Sequence, residues 1–324
     1  IAAAKGVFEN VYRPENPGAD DWTKKLVFGP ATESPDVPDN VLYDGQVADA
    51  AVKTLRELQV SGKPFFLAVG FLKPHLPFCA PKKYWDLYDR DSIDVPANYS
   101  IPTDVPKEAP HNSGELRSYA GIHPSKLVDR ETARSLIHGY YACVSFTDAQ
   151  VGRLLETLQQ TGLDDNTIVV LWGDHGWQLG EHGMWNKHSC FETSLHSPLI
   201  FRAPGREAIQ PGTRVRSLVE FIDVYPTLCE LSGLRAPTHT QGTSVVPLMK
   251  DPSLEGKRTA ISRFWNGDSI RTSRFRYSEY TNANGNMTGA MLFDHEKDPD
   301  ENRNVHTTGS PRSTELAEQL HEGM

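Results

Sequence analysis

The feature that most constrains the fold is a short apolar run that stops abruptly at polar residues. Residues 168–172 (Ile-Val-Val-Leu-Trp) are all apolar, and Gly173, Asp174 and His175 follow directly. An apolar run without alternation is typical of a strand covered on both faces, as in the parallel sheet of an α/β protein. Ligand sites in such sheets lie beyond the carboxyl ends of the strands. The run therefore predicts a site at Asp174 and His175.

The chemistry of this strand end favours a metal and an anion. A carboxylate and an imidazole are both common metal ligands, so the two side chains could share one cation. Gly176, Gly180 and Gly183 let the next loop approach a ligand closely, and Lys187 supplies a charge that could meet an anionic substrate. The alternative is a solvated polar turn, because two ligands alone do not make a metal site.

A second apolar run has the same form. Residues 65–71 read Phe-Phe-Leu-Ala-Val-Gly-Phe and predict a strand, which Pro74 and Pro77 would end. Lys73 and His75 would then lie at the same sheet edge as the first cluster. The alternative is that Lys73 is solvated and that His75 serves in packing.

Four segments resemble segments of the sulfatases and occur in the same order as in that family. Among the sulfatases, they most resemble the iduronate-2-sulfatase-like branch. The segments are residues 65–81, 140–153, 173–187 and 198–201. Lys-Pro-His after Phe-Phe-Leu-Ala-Val-Gly, combined with Asp-His-Gly-Trp-x-Leu-Gly-Glu-His-Gly, is a specific pattern. The resemblance implies the α/β fold of the alkaline-phosphatase-like superfamily, a doubly wound and mostly parallel sheet flanked by helices. It also implies a small carboxyl-terminal α+β subdomain containing an antiparallel sheet.

The resemblance implies a role for each matching residue. Asp174 and His175 match calcium ligands, and Lys187 matches the lysine that holds the sulfate group. His75 matches a histidine that contacts the sulfate or its leaving oxygen, with Lys73 beside it. The implied reaction is hydrolysis of a sulfate ester by a formylglycine hydrate, with cations offsetting the charge that develops during transfer.

Three further histidines are candidates for supporting roles. His182 lies in the glycine-rich loop and could orient a metal ligand, while His188 and His196 are near enough in sequence to line the pocket. The sequence does not separate these roles from ordinary packing.

The family's nucleophile motif, Cys-x-Pro-Ser-Arg, is absent from the 324 residues, and with it the Asp-Asp pair that precedes this motif in the family and completes the metal site. Of the four cysteines, only Cys79 in Cys-Ala-Pro-Lys-Lys is faintly similar, and a packed or surface thiol is the better interpretation. By resemblance, we expect the family's amino-terminal part, with the formylglycine, to precede Ile1. We also expect this segment alone to be inactive.

Composition limits the partners. With 38% hydrophobic and 23% charged residues, the chain can bury a substantial core. We predict two domains, a sulfatase-like α/β domain at residues 1–250, whose amino-terminal part is missing, and a small subdomain at residues 251–324. A net charge of −9 argues against nucleic acid, and no stretch approaches the ~20 apolar residues of a membrane span. The predicted substrate is a sulfated carbohydrate, which a local basic pocket would bind because the chain as a whole is negatively charged. The family implies a periplasmic, secreted or lysosomal location, although no signal-like segment is present.

Periodicity predicts a helix that Asp44 caps and that ends before Gly62. It predicts a second helix from Arg134 to residue 160, whose apolar face would comprise Val144, Val151, Leu154, Leu155 and Leu158. Residues 89–128 have no steady period and read as an irregular excursion that could wall the pocket. Short antiparallel strands and a closing helix are predicted beyond residue 252.

Three functions remain open. The first is a sulfatase, and the second is a phosphodiesterase or phosphonate hydrolase of the same superfamily, which shares the acid and imidazole pair. The third is a non-catalytic, carbohydrate-binding relic.

Overall fold

The computed structural model describes residues 28–206, 209, 211–307 and 309–323. These residues form two compact units. The first comprises the described part of Ile1–Tyr99 together with Asn112–Asp165, and the second comprises Ser100–His111 and the described part of Asn166–Met324. The predicted boundary at residue 250 falls inside the second unit and stays a prediction.

The first unit is built mainly from helices with short strands between them. Its elements are β1 (Phe28–Pro30), β2 (Thr32–Glu33), α1 (Tyr43–Ser61), β3 (Phe78–Cys79), α2 (Lys82–Trp85), α3 (Gly114–Arg117), β4 (Tyr119–Ala120) and α4 (Arg130–Gln160). Strand β1 pairs with β4 and β2 pairs with β3, both in parallel. Single 3-10 turns lie at Asp39–Val41, Arg90–Ser92 and Asp164–Asn166.

Helices α1 and α4 confirm the two predicted helices. Gly62, with φ of 63°, closes α1 in the left-handed conformation that glycine favours. The predicted apolar face of α4 is right only in part: Leu158 is buried, but Val144 and Leu155 are about two-fifths exposed, whereas Phe146, which was not predicted, is fully buried. Phe146 packs against Tyr84 of α2, with ring centroids 5.5 Å apart, and this contact sets the buried side.

Residues 65–71 differ from prediction. No strand is assigned to them, since none of the described strands pairs with this run. Half-buried and exposed side chains alternate along it, and Phe66 is 83% exposed. Apolar composition alone does not form a strand, which also needs a partner for its backbone hydrogen bonds.

The second unit carries most of the strands. Its elements are β5 (Val169–Trp172), β6 (Gln178–Leu179), β7 (Trp185–Asn186), α5 (Glu192–Leu195), β8 (Leu199–Arg202), α6 (Val224–Leu231), α7 (Val246–Lys250), β9 (Ala260–Phe264), β10 (Gly267–Arg271), β11 (Phe275–Thr281), β12 (Met287–Asp294) and α8 (Pro311–Gly323). Two 3-10 turns lie at Glu181–Gly183 and Phe221–Asp223. The predicted strand β5 is confirmed, and its partner β8 runs antiparallel to it.

Strands β9 to β12 form one antiparallel sheet in the order β12-β11-β10-β9. Helix α8 covers this sheet, and Leu316 and Leu320 pack with buried Ile270, Tyr277 and Leu292. The α/β fold class with a carboxyl-terminal α+β part containing an antiparallel sheet is therefore confirmed. Within the part of the chain that the structure describes, no helix has the length and apolarity that crossing a bilayer requires.

Candidate active site

Asp174 and His175 follow β5, and their side chains face each other. The Nε2 atom of His175 lies 3.7 Å from Oδ1 of Asp174, whose side chain is 85% exposed. The other ring nitrogen, Nδ1, is 2.7 Å from the carbonyl oxygen of Gly176. A proton on Nδ1 donated to that carbonyl leaves the Nε2 lone pair directed toward the carboxylate, as in an oriented metal ligand.

Close backbone contacts fix the loop that carries this pair. The Gly176 amide donates to the carbonyl of Ser194 at 2.9 Å, and the Gly173 amide donates to the carbonyl of Pro198 at 3.0 Å. A Cβ atom on Gly176 would collide with the carbonyl oxygen of Thr193. Glycine is required at 176 because another backbone passes there, rather than for freedom of motion.

Trp177 connects this pair to Lys187. Its ring stacks on His175, with centroids 5.9 Å apart and planes 26° apart, and the Lys187 Nζ atom lies 5.0 Å from the indole centroid. The pairing of β6 with β7 aligns Leu179 with Trp185 and so returns the chain to this point. The Trp177 ring thus contacts both His175 and Lys187, and His175 in turn faces Asp174.

His182 faces elsewhere. It is 1% exposed, packs on Phe191 with centroids 4.5 Å apart, and places Nε2 2.7 Å from the carbonyl oxygen of Asp300. Its φ of 57° is the left-handed conformation in a turn that begins after Gly180. These contacts tie the glycine-rich loop to the carboxyl-terminal part of the second unit.

His196 and His188 have different surroundings. His196 is 77% exposed, with Nδ1 3.5 Å from the Glu192 carboxylate. His188 is half-buried between two rings, with its centroid 5.5 Å from that of Phe264 and 5.8 Å from that of His111. His188 therefore belongs to an aromatic cluster next to Lys187 in sequence.

His111 was not predicted from the sequence. It lies in the irregular excursion, places Nε2 3.3 Å from Oε1 of Gln178, and donates its backbone N–H to the Met184 sulfur. Gln178 and Asn186 are opposite each other on β6 and β7, are fully buried, and hold amide nitrogens without hydrogen-bond partners among the described residues. In the sequence His111 stands alone among prolines, so no local pattern predicted its contacts with Gln178 and Met184.

Lys73 and His75 belong to the first unit. The Lys73 ammonium is 9% exposed and donates to the carbonyl oxygens of His75, at 3.2 Å, and Pro77, at 2.6 Å. Its backbone N–H donates to Asp44 at 2.8 Å, as that of Leu72 does at 3.0 Å. Asp44 therefore anchors this turn, and its predicted role as helix cap is wrong, since Leu42 occupies the cap position.

The His75 ring is held at both nitrogens. Nδ1 lies 2.8 Å from the carbonyl oxygen of Leu76, and Nε2 lies 2.7 Å from Oε1 of Glu115. Two oxygen acceptors suit a ring that donates from both nitrogens. Glu115 was missed by sequence reasoning because it stands in the aperiodic excursion, 40 residues further along.

A second cluster of metal-type ligands is an ion-pair network. Atoms of Glu192, His295 and Glu301 lie within 4.8 Å of one another, yet Arg276 contacts both carboxylates. Burial disfavours the charged form of Glu192, but Arg276 and Arg271 outweigh this and lower its pKa to about 2. Arg276 is 3% exposed and is held by these two carboxylates.

Asp174 and His175 suit a divalent cation better than that network. Among the described residues no arginine forms an ion pair with Asp174, and a carboxylate and an oriented imidazole are both ordinary metal donors. Calcium prefers six to eight oxygen ligands, so the Asp174 carboxylate suits it, whereas the imidazole nitrogen of His175 is a donor more typical of transition metals.

Cys79 does not resemble a nucleophile. It lies in β3 and is 4% exposed, and burial raises the pKa of its thiol to about 12. The packed-thiol interpretation agrees with this environment.

A sulfatase family model matches residues 5–234, and the model for the carboxyl-terminal part of N-sulphoglucosamine sulphohydrolase matches residues 180–324. The chain belongs to the sulfatase family. This sulfatase is 35% identical to human iduronate 2-sulfatase in an alignment 230 positions long, which covers 62% of this chain and 42% of the relative. It is 30% identical to choline-sulfatase from Rhizobium meliloti, over 91% of this chain and 57% of the relative. The sulfatase chain thus spans about half the length of the curated relatives it matches.

Solved structures agree on the fold. BT4656, solved with its substrate D-glucosamine-2-N,6-O-disulfate, superposes with a TM-score of 0.72 at 21% identity, covering 86% of this sulfatase and 69% of BT4656. The phosphonate monoester hydrolase of Silicibacter pomeroyi superposes with a TM-score of 0.74 at 22% identity, covering 99% of this chain and 67% of that one.

Proposed function

We propose that this chain forms part of a sulfuric ester hydrolase that removes sulfate from a sulfated carbohydrate. The contacts of His175 and Lys187 with the Trp177 ring, with Asp174 facing His175, support this most directly. A cation site beside a fixed ammonium suits a sulfate group, because positive charges on two sides offset charge that develops on its oxygens. Membership of the sulfatase family supports the same chemistry.

Each residue of the second unit has a separate task in this proposal. Oδ1 of Asp174 and Nε2 of His175 would hold a divalent cation, which we propose is calcium and which supplies Lewis-acid chemistry when bound. Lys187 would bind a sulfate oxygen. Trp177 keeps the ammonium in place through its ring face and limits the water that reaches it.

In the first unit, His75 is the proposed donor to the sulfate or its leaving oxygen. Glu115 orients the ring and balances a positive charge on it. Because the Lys73 ammonium already donates to two carbonyl oxygens, we propose that Lys73 stabilises the turn that carries His75. The approach of these residues to Asp174 and Lys187 stays a prediction.

The proposed nucleophile is a formylglycine outside these 324 residues, since none of the four cysteines stands in Cys-x-Pro-Ser-Arg. The proposed substrate class follows from the relatives, one of which is an iduronate 2-sulfatase and another of which was solved with a disulfated glucosamine. A periplasmic, secreted or lysosomal location is proposed on the same family basis.

The second candidate function is hydrolysis of phosphonate monoesters. The structural likeness to phosphonate monoester hydrolases favours it, with TM-scores of 0.74 and 0.73. The test compares the whole protein on a sulfated glucosamine and on an aryl phosphonate monoester, with mass spectrometry of the peptide expected to hold formylglycine. A higher kcat/KM on the sulfate ester supports the proposal, a higher value on the phosphonate supports the alternative, and turnover of neither indicates a non-catalytic relic.

A further inference from the structure

Trp265 occupies a position that neither folding nor burial explains. It begins the two-residue loop between β9 and β10, where its φ is 54° and its side chain is 86% exposed. Two-residue hairpin loops with positive φ favour glycine, asparagine or aspartate. A bulky side chain is strained in this conformation, and strain of this kind is often found at functional sites.

The exposed indole continues a row of rings. Trp265 stacks on Phe264, with centroids 5.9 Å apart and planes 24° apart, and Phe264 lies 5.5 Å from His188, which lies 5.8 Å from His111. We call these four residues the aromatic strip. His188 directly follows Lys187 in the chain, and His111 contacts Gln178, which pairs with Asn186 just before Lys187, so the strip is attached to the segment that carries the proposed sulfate-binding lysine.

The base of the strip is rigid. Phe264 packs against the buried cluster that contains Met184, Phe191 and Phe293. Asn266, the second residue of the loop, donates its side-chain amide to the carbonyl of Thr281 at 2.9 Å and accepts from the Thr281 N–H at 2.9 Å. The hairpin is therefore anchored, and the strip presents ring surface at little further conformational cost on binding.

We propose that the aromatic strip binds the sugar that adjoins the sulfated residue, so that the substrate is an oligosaccharide rather than a free monosaccharide. This inference rests on the proposed function. The apolar C–H face of a pyranose ring packs on an aromatic ring, and each step along the strip is comparable with the length of one pyranose.

The test is calorimetric titration of the whole protein with D-glucosamine-2-N,6-O-disulfate and with a heparin-derived tetrasaccharide. We expect the wild type to bind the tetrasaccharide roughly tenfold more tightly. Trp265→Asn should remove that difference while binding the monosaccharide normally, and Trp265→Phe should restore most of it. Because asparagine tolerates positive φ, W265N should not lower the melting temperature. Tyr225→Ala, which removes a 54% exposed ring on α6, is the matched control and should change neither affinity.

The outcomes separate the inference from the proposed function. The inference is overturned if W265N binds the tetrasaccharide as tightly as the wild type does. It is also overturned if W265N loses the same affinity for both saccharides, or if W265N changes the self-association of the protein but not its sugar binding. If Lys187→Ala loses the monosaccharide while W265N binds the tetrasaccharide normally, only the strip is refuted. If K187A binds normally and W265N loses the tetrasaccharide preference, the strip stands and the role of Lys187 fails. Binding of neither saccharide by the wild type refutes both.

Discussion

The Lys187 ammonium lies over the face of Trp177, 5.0 Å from the centroid of the ring. The same indole stacks on His175, so one side chain positions both the predicted sulfate-binding lysine and a predicted metal ligand. The short β6–β7 pairing brings the two ends of this segment together. The glycine-rich segment 173–187 therefore holds the side chains of His175 and Lys187 in fixed positions on the Trp177 ring.

Removing the indole should weaken the site without removing any charge. For Trp177→Leu we expect kcat/KM on a sulfate ester to fall by about 5- to 30-fold, the size of a cation–π contact. Trp177→Phe keeps an aromatic face and should lose less. Steady-state kinetics of the two variants measure the difference, and equal losses would show that the ring face does not hold Lys187.

Replacing Lys187 removes the proposed sulfate contact itself. We expect Lys187→Ala to lower kcat/KM by about 10²- to 10³-fold, as loss of a donor to developing negative charge does in other hydrolases. Lys187→Arg should retain part of the rate. Lys53→Ala, which removes a 79% exposed lysine side chain on α1, is the control and should leave the rate unchanged. A K187A enzyme with normal kinetics would exclude this lysine from the site.

Metal binding can be followed without turnover. Added calcium should raise the melting temperature of the metal-free whole protein, because a ligand that binds only the folded state stabilises it. Asp174→Asn should reduce this rise, whereas Asp251→Asn, which alters a fully exposed carboxylate, should not. Thermal scans at several calcium concentrations are the measurement, and an undiminished shift in D174N would place the cation elsewhere.

Gly176 and Gly152 form a matched pair for testing the backbone contact. A Cβ atom at 176 meets the carbonyl oxygen of Thr193, whereas one at 152 meets nothing within 4 Å. Gly176→Ala should lower the free energy of unfolding by about 1–3 kcal/mol and disturb the site. Gly152→Ala, within helix α4, should raise it by about 0.5–1 kcal/mol. Denaturant unfolding tests both, and a neutral G176A would mean that the loop can move away.

Glu192 makes the stability of the protein sensitive to acid. Its folded pKa of about 2 lies below its ordinary value of 4.5, so its stabilising contribution is present above pH 4.5 and is lost as the pH falls toward 2. The shift corresponds to at most about 3 kcal/mol. Glu192→Gln should be less stable at pH 7 and should lose less stability between pH 5 and 2. Glu57→Gln, at a 65% exposed side chain, is the control, and an acid response of E192Q that matches the wild type would refute this role.

The sequence predicted the elements whose signals are local. Strand β5, helices α1 and α4 and the carboxyl-terminal sheet follow from runs, periods and turn residues. Asp174, His175 and Lys187 were proposed from residue types at a strand end and from the family resemblance, whereas the contacts of Trp177 with His175 and Lys187 were found only in the structure.

What the sequence did not predict depends on partners distant in the chain. The strand expected at residues 65–71 needs a neighbour to pair with, and composition cannot supply one. Glu115 and His111 come from an aperiodic segment, so nothing local indicated that they contact His75 and Gln178. Asp44 had the residue type of a cap but instead accepts hydrogen bonds from a turn 28 residues away.

Sulfate release from a sulfated carbohydrate is the most direct measurement of the proposed activity. Ion chromatography of the whole protein acting on D-glucosamine-2-N,6-O-disulfate and on sulfated oligosaccharides should detect inorganic sulfate, with release lost in the double variant D174N/K187A. Absence of sulfate from every sulfated sugar, or release by the double variant at the wild-type rate, would contradict a sulfatase site at the end of β5.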